Sequence, residues 1–186
     1  MKRRMLLKQL GLLAGAAVVL PHCTGKETAQ EATISLHKLK ITGHHQNSVT
    51  ALVDALIPKT DTPGAKELDV QSYVWRMVDD CTSEEDQKKF LAGLDHLTTI
   101  ADDRFGKTIA ECSAADLQTL LQEMNDGKIT EKNVGDFYQQ FRRHTIRGFV
   151  GTESVMTNVY HYNMIPGHFT GVVEIKDPND LKVILG

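Results

Sequence analysis

Residues 130 to 151 read TEKNVGDFYQQFRRHTIRGFVG, and the spacing of their apolar side chains decides the fold. Val134, Phe137, Tyr138, Phe141, Thr145, Ile146 and Phe149 recur at three- and four-residue intervals, which predicts a helix over 130 to 150 with that stripe facing inward and an end near Gly148 and Gly151. Working back along the chain, Ser113-Ala-Ala-Asp116 has the form of a capping box. Leu117, Leu120, Leu121 and Met124 follow it at helical spacing until Asn125-Asp126-Gly127 stops the run. Ser83-Glu84-Glu85-Asp86 repeats the device, and Phe90, Leu91, Leu94, Leu97 and Ala101 carry the pattern to Phe105-Gly106. Before it, Glu67 to Asp80 fits a helix with Val70, Tyr73, Val74, Met77 and Val78 on one stripe and Trp75 off it. From about Gln46, Val49, Leu52, Val53, Leu56 and Ile57 mark a further helix that Pro58 ends.

After Gly151 the pattern weakens to a short helix over 153 to 162, a turn around Pro166-Gly167, a VVEI segment and a turn at Asp177-Pro178-Asn179-Asp180. The expected fold is therefore all-α: a single irregular bundle of five to six helices over residues 46 to 186, with a less regular C-terminal tail. Residues 24 to 45 read as a polar spacer followed by a strand-like or irregular lead-in, in which Ile34, Leu36, Leu39 and Ile41 partly alternate.

The N-terminus carries different information. Lys2, Arg3, Arg4 and Lys8 precede the apolar run from Leu10 to Leu20, which is too short to cross a hydrocarbon core of about 30 Å as a helix but suits a signal peptide. Arg3-Arg4-Met5-Leu6-Leu7-Lys8 resembles the twin-arginine export signal, which implies export of a folded cargo by the Tat translocase. Leu20-Pro21-His22-Cys23 is similar to a lipoprotein box, with Pro21 and His22 in place of the usual small residues. Cys23 is then the expected lipidation site and a tether to a membrane surface; the other reading is a spare cysteine beside an ordinary cleavage site. Residues 1 to 23 are set apart as signal, and the expected location is exported, periplasmic and membrane-associated.

Without residues 1 to 23 the 21 basic residues fall to 17 against 24 acidic ones, a net charge of −7. An acidic body argues against a nucleic-acid partner, whose affinity rests on Lys and Arg at phosphates. Cys81 and Cys112 remain. They either close a loop of about 30 residues, for a gain of about 3 to 4 kcal/mol on the chain-entropy estimate, or stay as two buried free thiols. No C-x-x-C pattern supports zinc, an iron-sulfur cluster or c-type haem.

A search for chemistry finds little. Asp79-Asp80 and Asp102-Asp103 are sequence neighbours, so on a helix their side chains diverge by about 100° and read as solvated faces. His44-His45 and His161 and His168 around Pro166-Gly167 could in principle supply metal ligands from two regions, although adjacent residues seldom point at one ion. Neither a nucleophile elbow, a Walker loop nor H-E-x-x-H is present. The loop after the first helix, Pro58-Lys-Thr60-Asp61-Thr62-Pro63-Gly64, reads as a rigid helix-to-helix corner. Thr60 and Asp61 are expected to accept backbone N–H bonds, Pro63 to fix φ and Gly64 to permit positive φ, with a share in docking another chain.

That corner also carries a resemblance. Leu52-Val-Asp-Ala-Leu-Ile57-Pro58-Lys-Thr60-Asp61-Thr62-Pro63-Gly64-Ala65 resembles the hallmark of the gluconate 2-dehydrogenase subunit 3 family. Phe90-Leu91-Ala92-Gly93-Leu94, a Gly148-Phe149 turn followed by Thr152-Glu153, and Tyr162 leading to Ile165-Pro166-Gly167 and Gly171 are similar to later blocks of the family in the same order. Roughly residues 46 to 172 are covered. The resemblance implies a small, non-catalytic gamma subunit with no cofactor of its own. Its partner would be a large flavoprotein dehydrogenase of the glucose-methanol-choline type, carrying FAD and acting on sugars, sugar acids or glycosides, with a cytochrome or another carrier as electron acceptor. The reading from another class is a free-standing periplasmic helical enzyme or metal-binding protein that uses His44, His45, His161 or His168.

Overall fold

The computed structural model describes residues 32 to 160 together with Tyr162, Met164, Ile165 and Gly167, all within one unit spanning Glu31–Gly186. Arg3, Arg4, Cys23, His161, Pro166, His168, Gly171 and the turn at 177 to 180 lie outside the described residues. The described residues form six α-helices and no sheet: α1 (Gly43–Leu56), α2 (Val70–Cys81), α3 (Glu84–Phe105), α4 (Ala114–Asn125), α5 (Val134–Val150) and α6 (Glu153–Asn158). A 3-10 turn, Ile109–Glu111, links α3 to α4. The all-α expectation holds.

The caps explain where the helices begin. Ser83 Oγ accepts from the Asp86 N–H ahead of α3, and Ser113 and Asp116 bond reciprocally ahead of α4. Thr42 and His45 form a similar box at α1, in which the imidazole takes the place usual for Glu or Gln. This box starts α1 at Gly43, three residues before the expected start at Gln46. Two helices begin later than the spacing predicts, α2 at Val70 and α5 at Val134, because Asp69 (φ 53°) and Asn133 (φ 68°) adopt the left-handed conformation that breaks the helix before them.

Helix α5 is the central element and packs on α3 and α2, while α1 packs on the 3-10 turn, α4 and α2. One aromatic series ties three helices together: Trp75 of α2 meets Phe90 of α3 edge-on at 5.7 Å, Phe90 meets Phe137 of α5 at 4.9 Å, and Phe137 stacks on Phe141 at 5.6 Å. Each such pair adds about 0.5 to 1.5 kcal/mol to the burial of its rings. Trp75 therefore belongs to the core although it lies off the α2 stripe; α2 is covered on more than one side by α1, α3 and α5. The α5 stripe is rotated in the same way. Ile146, expected inside, is 40% exposed, and His144 takes an inward position at 6%.

The lead-in expected as strand-like or irregular is irregular over residues 32 to 41 and packs on the bundle. Ile34, Leu36, Leu39 and Ile41 pack against the core, and Gln46 Oε1 accepts from the Thr33 and Ile34 N–H groups. Cys81 and Cys112 are free thiols, Cys81 exposed and Cys112 half-buried. The disulfide that the sequence allows is not made. Cys81 ends α2 and Cys112 follows the 3-10 turn, one on either side of the 22-residue α3 in the chain.

Candidate functional site

The corner between α1 and α2 is built almost wholly from backbone. Ile57 caps α1 by donating its N–H to the Val53 carbonyl at 3.1 Å, and its own carbonyl accepts from the Ala65 N–H at 3.0 Å, which pinches residues 58 to 64 into a closed loop. The Thr60 N–H donates to the Thr62 carbonyl at 3.1 Å, and the Gly64 and Ala65 carbonyls accept from Leu68 and Val70 to lead into α2. Lys59 Nζ donates to Glu67 Oε1 at 2.7 Å across the loop's base, and this hydrogen bond holds the Glu67 carboxyl below its ordinary range.

Two expectations about this loop change. The side chains of Thr60 and Asp61 make no hydrogen bond among the described residues, and Pro58 to Pro63 are exposed. Gly64 does not have positive φ. It is needed because a Cβ there would lie 2.7 Å from the Lys59 nitrogen and 3.1 Å from the Ile57 oxygen, so only a bare Cα lets the strands of the loop close. Thr60, Asp61, Thr62 and Pro63 thus stand on the surface of a corner held by Ile57, Gly64 and Ala65.

Gly148 and Phe149, expected in a turn, lie inside α5. Gly148 is buried where α2 crosses α5, and a Cβ there would come within 2.6 Å of the Tyr73 ring. Thr152 then caps α6 by accepting from the Val155 N–H, and the chain beyond it is anchored by a Tyr162 N–H bond to the Met156 carbonyl at 2.8 Å. Around that anchor four described apolar residues are exposed: Val159 at 49%, Tyr162 at 40%, Met164 at 79% and Ile165 at 80%. Single exposed apolar residues are ordinary, but four within seven positions make a candidate contact surface.

The histidines do not converge on a described site. His45 Nδ1 accepts from the Thr42 N–H and its Nε2 lies 2.9 Å from Asp95 Oδ1, so both ring nitrogens serve the start of α1. His161 and His168 are outside the described residues.

Asp79, read as part of a solvated face, is 1% exposed. Its Oδ2 accepts from the His37 N–H at 2.6 Å and its Oδ1 from the Lys38 and Leu39 N–H groups at 2.9 and 2.7 Å. Burial opposes its charge, but the N–H groups of Leu39, His37 and Lys38 outweigh that and hold the carboxyl below its ordinary range. His37, Asp79 and Asp80 bring three potential ligand atoms within 4.8 Å. Both Asp79 oxygens are already engaged, so the cluster is a clamp of the lead-in on α2. Sequence reading could not find it: the partners lie about 40 residues away and are backbone groups.

His144 was also missed. It is buried with neither ring nitrogen hydrogen-bonded among the described residues, and burial, then the charges of Arg143 and Arg147, push its pKa down. Its signal in the sequence was only that it falls three residues after Phe141 and four before Gly148, on the core side of α5.

Comparison with known proteins adds one decisive observation. The family model for gluconate 2-dehydrogenase subunit 3 matches residues 43–167, about two thirds of the chain. The chain belongs to the gluconate 2-dehydrogenase subunit 3 family. Searches among curated proteins and among solved structures gave no match. Membership makes the chain an accessory subunit of a dehydrogenase complex with a larger catalytic subunit. The matched region of this subunit 3 chain includes the α1–α2 corner, the α2–α5 crossing and the apolar edge at 159 to 165. Its Phe90-Gly93 block is a packing device too. Phe90 is the middle ring of the aromatic series, and a Cβ at Gly93 would collide with the Asn133 carbonyl and with Phe137.

Proposed function

We propose that this chain is the small, non-catalytic subunit of a membrane-associated FAD-dependent dehydrogenase of the glucose-methanol-choline type, acting on a sugar, sugar acid or glycoside. In this reading it binds the flavoprotein in the cytoplasm, carries it through the Tat translocase by the signal at Arg3-Arg4, and holds it at the membrane through Cys23. FAD belongs to the large subunit, and a cytochrome or another carrier takes the electrons. The family match carries the reading, and the exposed apolar edge at Val159, Tyr162 and Met164 supports it as a surface suited to a protein partner.

A folded flavoprotein needs a route that accepts folded cargo, which gives the signal on the small chain a purpose. Arg3→Lys/Arg4→Lys in the full chain should leave the FAD-loaded large subunit in the cytoplasm, read by fractionation and flavin fluorescence. Export of active large subunit in a strain lacking this chain would overturn the proposal.

A further inference from the structure

Helix α5 has a second face that the fold does not use. Opposite Phe137, Phe141 and Gly148 it turns Arg142, Arg143, Ile146 and Arg147 to solvent, all exposed. That face is the floor of an open trough of about 1180 Å³, walled on one side by Met77, Cys81 and Thr82 at the end of α2 and on the other by Asn125 to Ile129 after α4. Small-molecule sites are usually closed clefts of about 300 to 1,000 Å³. A trough of this size and openness suits a segment of another chain.

We propose that the trough is the docking site for an acidic segment of the large subunit, with Arg143 and Arg147 as its anchors; this rests on the reading that the chain binds such a subunit. Charge supports it in two ways. The chain after residue 23 carries −7, so an acidic partner is repelled by the body as a whole and steered to a basic face. Of the five arginines outside residues 1 to 23, three fall within residues 142 to 147, and none of the three has a carboxylate partner among the described residues, whereas Arg104 is paired with Glu123. The two acids on the trough lining do not reverse its sign: Asp86 lies 3.6 Å from Lys89, and Asp136 also contributes to the field at Lys89.

The lining also holds an unmet hydrogen-bonding demand. Among the described residues, both ring nitrogens of His144, itself 6% exposed, are unpartnered, and so is the buried Gln140 Oε1 four residues earlier. Each of these polar atoms is buried beneath the trough floor, so the groups open to a docked segment are the exposed arginines and Ile146. Ile146 among the arginines gives the apolar centre with a charged rim that interface hot spots show, and the planar guanidinium binds carboxylates two-pronged where an ammonium cannot.

The test uses the full chain and the FAD-containing large subunit isolated from the native complex, with affinity measured at rising salt. Arg143→Glu/Arg147→Glu should raise Kd about 100-fold and flatten its salt dependence, while Lys40→Glu/Lys107→Glu, of equal charge change outside the trough, should leave Kd within about threefold. Circular dichroism melts of both variants confirm that each is folded, and the milder Arg143→Gln/Arg147→Gln replaces the first variant if it is not. Wild-type affinity and salt slope retained by the arginine variant would overturn the trough as docking site while leaving the subunit reading intact. No association of the wild-type chain with the large subunit would overturn both. Undiminished association together with lost binding to anionic phospholipid vesicles would show a membrane-facing surface, and would also overturn it.

Discussion

Asp61 projects from the exposed loop between α1 and α2 with no hydrogen bond to its side chain among the described residues, whereas Asp79, at the far end of α2, is 1% exposed and accepts three backbone N–H groups. Both are aspartates near polar neighbours, and the sequence makes the first look the more interesting. The difference teaches that a carboxylate matters to this fold through what it is asked to neutralise. Asp79 satisfies consecutive donors of a segment that has no helix or sheet of its own to bond with, and so binds residues 37 to 39 to the bundle. Asp61 faces water, and the corner beneath it is closed by the bonds of Ile57 and Ala65.

Changes at the two sites should therefore differ sharply. Asp79→Ala leaves three N–H groups of the lead-in without their acceptor and should cost about 2 to 4 kcal/mol in urea unfolding, with faster amide exchange at residues 37 to 39. A loss under about 0.5 kcal/mol would show that the clamp is incidental. Gly64→Val forces a side chain into the Lys59 nitrogen and should destabilise by about 1 to 3 kcal/mol in a thermal melt, which makes the corner, and not its aspartate, the sensitive feature.

Acid should sharpen the same contrast. Because the Asp79 carboxyl titrates lower in the fold than in the unfolded chain, its contribution is complete above its unfolded value near 3.8 and is lost as pH falls below that toward the folded value. The wild-type acid limb in that window should be steeper than that of Asp79→Ala, followed by ellipticity. Asp61→Asn should be the smallest effect, within about 0.5 kcal/mol of wild type, with assembly and turnover of the complex unchanged. Lost turnover with intact assembly would instead make Asp61 a chemical group of the complex.

Much of the fold was legible because it is local. Ser83, Ser113, Gly106 and Gly127 act within four residues of themselves, so the ends they set were readable in the chain. The delayed starts at Val70 and Val134 were not read, although Asp69 and Asn133 are among the few residue types that enter the left-handed region readily. Trp75 and Ile146 were misplaced for one shared reason: an apolar stripe gives the mean direction of a buried face, and its width and rotation depend on how many neighbours cover the helix.

At the candidate site the family blocks were visible, but their purpose was not. A glycine in a sequence does not say whether it serves a positive φ or a close approach, and Gly64 and Gly148 serve the second. By itself the sequence determined helix number, caps, the acidic balance and family membership, because these rest on short-range periodicity and composition. Tertiary structure alone decided that Cys81 and Cys112 are free thiols, that Asp79 is a clamp, and that Arg142, Arg143 and Arg147 share one open trough. Each of those depends on which surfaces of rigid helices meet across 30 or more residues, and no local pattern encodes that.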